Sequence, residues 1–60
     1  MKKVKIMMKV GNYEAKLLET VKGEENALAM IRRYEREDLY ARDVEGYAFP
    51  NGMPVYFIAK

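Results

Sequence analysis

KKVKIMMKVGNYEAK, residues 2–16, is the stretch whose reading decides the fold. Val4, Ile6, Met8 and Val10 fall on one side of an extended chain, and Lys3, Lys5, Met7 and Lys9 on the other. A period of two is the pattern of a strand with one buried face. VGNY follows, with Gly11 and Asn12 in the two central positions of a type II′ turn, where glycine is wanted first. The pattern predicts a hairpin over 2–21. A two-residue turn pairs Val10 with Tyr13, Met8 with Ala15, Ile6 with Leu17 and Lys5 with Leu18. Tyr13, Ala15 and Leu17 then join the core face, while Glu14, Lys16 and Leu18 join the lysine face.

KGEENALAMIRRYERED predicts a helix over 24–37. Glu24 and Glu25 suit the positive end of the helix dipole. Ala27, Met30, Ile31 and Tyr34 keep the i, i+3, i+4, i+7 spacing of a buried stripe, with Leu28 at its margin. Arg32, Arg33 and Arg36 lie on the far side among Glu35, Glu37 and Asp38, and the spacing pairs Arg33 with Glu37 and Arg32 with Glu35. A second hairpin is expected over 41–59, with strands at 41–49 and 55–59 joined by PNGM, because Asn-Gly is a strong hairpin signal. With Asn51 and Gly52 central, Val44, Gly46, Ala48, Val55, Phe57 and Ala59 make the core set. Glu45, Tyr47, Phe49, Tyr56 and Ile58 then face outward. A turn begun at Pro50 instead would shift one strand by a residue and mix these sets.

The expected architecture is α+β, two layers in the order ββαββ: one four-stranded antiparallel sheet with a single helix packed on one face. It forms one small domain over 1–60. A chain of 60 residues buries only about 60% of the surface that it exposes when unfolded, so a partner or a second copy readily adds stability.

Composition removes several function classes. The chain has no cysteine and no histidine, which excludes disulfides, thiolate chemistry, Cys/His zinc sites and any triad with an imidazole base. No cofactor or metal is expected. The adjacent carboxylates Glu24/Glu25 and Glu37/Asp38 sit at helix ends, where capping and dipole roles explain them. A thin two-layer domain offers acid–base catalysis little depth, so neither an enzyme nor a small-molecule substrate is expected. No apolar run approaches the roughly 20 residues that span a membrane. The basic start lacks the continuous apolar core of a signal peptide, so the expectation is a soluble protein, cytoplasmic by default.

Charge is unevenly spread. Residues 1–22 carry +4, residues 23–45 carry −3, and Lys60 completes the net +2. One helix covers one side of the sheet. The other side is expected to show Lys3, Lys5, Met7, Lys9, Lys16 and Leu18 beside Tyr47, Phe49, Tyr56 and Ile58. Two readings fit that set. Lysines and exposed aromatics can hold the phosphates and bases of nucleic acid, single strands above all. The same face can instead take protein, either an acidic surface or a second copy stacked in a homodimer. A blander reading makes the lysines protection for a strand edge that must not aggregate.

Overall fold

Residues 2–60 are described by the structure, a computed structural model; Met1, the first residue of the expected domain, lies outside the described residues. The elements are β1 (Lys3–Lys9), β2 (Lys16–Lys22), α1 (Glu24–Asp43) and β3 (Val55–Ala59). The strands form one antiparallel sheet in the order β2-β1-β3. Class and layering are therefore α+β with one helix against the sheet. The expected fourth strand and the ββαββ order are corrected to three strands and ββαβ. Since β1 runs against both neighbours, β2 and β3 are parallel to each other, and α1 carries the chain from one to the other past β1.

Val4 and Ile6 from β1 and Ala27 and Ile31 from α1 form the buried core, and Ile6 has no exposed surface. Val21, Met30, Tyr34, Tyr56 and Ile58 close around them. Burying a side chain such as Ile6 stabilises by about 1.5–3 kcal/mol.

The first hairpin forms, but its register differs from the expected one. Tyr13 N–H donates to the Val10 carbonyl at 3.0 Å, with Gly11 at φ +55° and Asn12 outside the positive-φ region. Those values suit type II′ and exclude type I′. The ladder does not continue from that turn. Met8 pairs with Lys16 and Met7 with Leu17, then Leu18 is left over as a β-bulge, and Ile6 pairs with Glu19. Each slip of one residue turns a side chain to the other face. Leu17 consequently leaves the expected core face, Lys16 joins the helix side, and Glu19 and Val21 lie against α1.

β2 hands over to α1 through Gly23 at φ +85°, a conformation that costs glycine nothing and a side chain about 1–2 kcal/mol. The helix runs to Asp43 instead of stopping at residue 37. The stripe Ala27, Ile31, Tyr34, Asp38, Ala41 keeps helical spacing throughout, and its one polar member, Asp38, is half-buried against Tyr56. The chain then breaks at Gly46, φ +73°, and Tyr47 N–H caps the Ala41 carbonyl at 2.7 Å.

Residues 44–54 form a loop where a strand was expected. Gly52 N–H donates to the Phe49 carbonyl at 3.1 Å, so Pro50 and Asn51 are the central pair of this turn, not Asn51 and Gly52. Proline at that position starts an ordinary β-turn, which lacks the twist that joins two strands directly.

Candidate functional site: the open face of the sheet

Direct cross-strand partners share a face, so the register lays out the side opposite α1 row by row. Lys3 stands beside Lys22, and Lys5 lies between Thr20 and Ala59. Met7 lies between Leu17 and Phe57, and Lys9 stands beside Val55. An apolar row, Leu17–Met7–Phe57, thus crosses the sheet between lysines. Lys5 and Lys9 flank it on the middle strand, about 13–14 Å apart along the chain. Lys3 and Lys22 extend the basic end. None of the strand residues on this face carries a carboxylate.

Of the residues expected here, the structure brings Lys3, Lys5, Met7 and Lys9 together, and Leu18 is exposed at the bulge beside them. Lys16 is on the helix side, in a cleft of about 290 Å³ with Met8, Val10, Tyr13, Glu14 and Asn51. Tyr47 and Phe49 are in the 44–54 loop, packed edge to face on each other with centroids 4.7 Å apart.

The assignment of β3 is inverted. Tyr56 and Ile58 pack on the core, while Val55 and Phe57 are exposed. Tyr56 stacks on Tyr34, centroids 5.2 Å apart, and donates to Asp38 Oδ2 at 2.6 Å. Tyr34 donates to Glu19 Oε2 at 3.2 Å. Burial, then the hydrogen bond to Asp38 and its charge, push the Tyr56 phenol well above its ordinary range. Burial and the bond to Glu19 raise Tyr34 in the same sense. Both acceptors favour the protonated phenol, so the pair holds its protons inside the fold.

Sequence reasoning missed Leu17, Thr20, Lys22, Val55, Phe57 and Ala59 on the open face. One signal pointed to the correct β3 face: tyrosine hydroxyls seek a partner when half-buried, and only the helix offers Tyr56 a carboxylate.

The helix supplies a contrasting surface. Arg33 Nε lies 3.8 Å from Glu37 Oε1 in the expected i, i+4 pair, whereas Arg32 and Glu35 are not among the ion pairs of the described residues. Lys60 Nζ meets Glu24 Oε1 at 3.0 Å. Among the described residues no group of three His, Cys, Asp or Glu side chains could hold a metal ion, and no helix is long and apolar enough to cross a membrane. No known protein family, curated protein or solved structure matches this chain.

Proposed function

We propose that the chain is a small non-enzymatic binding module that lays the open face of its sheet against nucleic acid, with single strands preferred. One observation carries the reading. Lys3, Lys5 and Lys9 stand in line on the middle strand, where Lys5 is paired on both sides, and they are joined by Lys22 with no carboxylate among the strand residues of that face. Protecting a strand edge does not account for Lys5, which has a paired strand on each side. The lysines take phosphates, and Phe57 within the apolar row offers a base a stacking surface. Such a contact is worth about 1–3 kcal/mol per base. A cytoplasmic location goes with this reading.

Fluorescence anisotropy of a labelled mixed-sequence oligonucleotide, titrated at several salt concentrations, tests it. If four lysines each displace a counterion from a single strand, log K against log salt has a slope of about −3. Lys5→Glu combined with Lys9→Glu abolishes binding. Unchanged affinity in that variant, or a flat salt response, defeats the reading.

The row Leu17–Met7–Phe57 favours a second reading, contact with a protein through the same face. An acidic partner fits its lysine surround better than a stacked copy, whose lysines would point into the same gap of about 10 Å.

A further inference from the structure

We infer that the outer edge of β3 pairs antiparallel with the same edge of a second copy, giving one continuous sheet of order β2-β1-β3-β3′-β1′-β2′. This goes beyond the nucleic-acid reading and does not rest on it.

The sheet has two free edges, and they are built differently. β2 carries the bulge at Leu18 and lysines at both ends, Lys16 and Lys22. Bulges and lysines are the devices that keep an edge from pairing with another chain. β3 has none of them. Its five residues, VYFIA, are uncharged, four of them are β-branched or aromatic, and no proline interrupts it. Pro54 stands just before it. No backbone bond from Val55–Ala59 to a loop or turn is present among the described residues, so the outward N–H and C=O groups form a ready template.

The exposed area is larger than the mass of the chain predicts. A folded chain of 7.0 kDa is expected to expose about 4,000 Å². This one exposes 4839 Å², an excess close to the roughly 800 Å² that each partner loses in a standard interface. Much apolar exposure lies beside β3. Val55 is 61% exposed, Phe57 39% and Leu39 45%. Leu39 lines a cleft with Glu35, Asp38, Met53 and Pro54 at the start of the strand.

Charge selects the occupant and the geometry. A second copy offers an equally uncharged strand. Three interstrand steps then separate the two β1 strands by about 14 Å, beyond the roughly 8 Å screening length at physiological salt. Symmetry about Phe57 sets it opposite its mate, with Val55 opposite Ala59′ and Tyr56 opposite Ile58′. The two open faces become one.

Cross-linking tests this cleanly, because the chain has no cysteine of its own. Opposed residues in an antiparallel pair have Cα atoms about 4.5–5.5 Å apart, within disulfide range. Without nucleic acid present, sedimentation of the wild-type protein is expected to give a dimer. Phe57→Cys is expected to form a covalent dimer on mild oxidation, and Thr20→Cys, on the β2 edge strand, at least tenfold more slowly. A wild-type monomer at the highest soluble concentration overturns the proposal. So does a dimer in which Thr20→Cys cross-links as fast as Phe57→Cys. Should Phe57→Cys fail to fold, amide exchange of the wild type decides between the same alternatives. Protection of every β3 amide that grows with concentration supports the pairing, and protection of alternate amides alone overturns it.

Discussion

Tyr56 donates its hydroxyl proton to Asp38 while its ring lies on Tyr34, so one side chain of β3 fastens the second half of α1 to the sheet. Asp38 occupies the place in the helical stripe where an apolar residue would otherwise face β3. The bond ties the part of the helix beyond residue 37 to the face that β3 presents to it.

Tyr56→Phe is expected to lower stability at neutral pH by about 1–2 kcal/mol, the range for a hydrogen bond to a charged acceptor that water can partly replace. The same variant tests the alkaline response. The folded-state pKa of Tyr56 is raised, so its contribution is fully present below the unfolded value of about 10. Above that pH the unfolded chain gives up the proton first, and stability falls as pH rises. Melting temperatures from neutral to strongly alkaline pH are expected to decline less steeply for Tyr56→Phe than for the wild type. Parallel curves would mean that the phenol's environment is the same in both states.

Ile6 and Leu17 separate the observed register from the one with an uninterrupted two-residue turn. Ile6 is wholly buried and Leu17 is 54% exposed. Ile6→Ala is expected to cost about 2–5 kcal/mol, comparable to the whole stability of about 3–9 kcal/mol for a domain of this size. Leu17→Ala is expected to cost under about 1 kcal/mol. Urea unfolding measures both. Similar large losses would place Leu17 back in the core.

Gly11 couples the two turns. A Cβ built there lies 2.9 Å from the Asn51 carbonyl oxygen, at a φ of +55°. Gly11→Ala therefore meets backbone as well as a strained conformation, and a loss of about 1–3 kcal/mol is expected. Gly52 also has positive φ, but open space surrounds its Cβ position. Gly52→Ala should cost less, and NMR shifts at residues 50–52 should appear for Gly11→Ala. Equal losses would remove the coupling.

Legibility in the sequence followed how sharply each segment divides polar from apolar. β1 alternates lysine with aliphatic residues, so its period and its buried face could both be read. VYFIA has no polar side chain on either face except the tyrosine hydroxyl, so a strand was readable from its β-branched and aromatic residues but its buried face was not. β2 defeats pattern reading because two one-residue slips separate the turn from Glu19, and neither leaves a compositional mark. Asp38 hid the continuing helix by looking like the end of an apolar stripe. Asn51-Gly52 suggested a hairpin, but Pro50 shifts the turn back by one residue. The lysines of β1 were legible as part of the candidate site; Lys16 and Lys22 depended on the register of β2, and the aromatic half on the direction of β3 and the fate of residues 44–54.

The strand order has a kinetic consequence. β1 and β2 meet across a short turn, and hairpins of that kind close in about 1–10 μs. Pairing Lys5 with Ala59 must instead gather in almost the whole sequence, and contacts so remote slow folding. Until β3 arrives, one side of β1 stands open beside Ile6, and Tyr34 has no ring to stack on. The interval between hairpin closure and strand insertion is therefore when this chain is most exposed to the wrong neighbour.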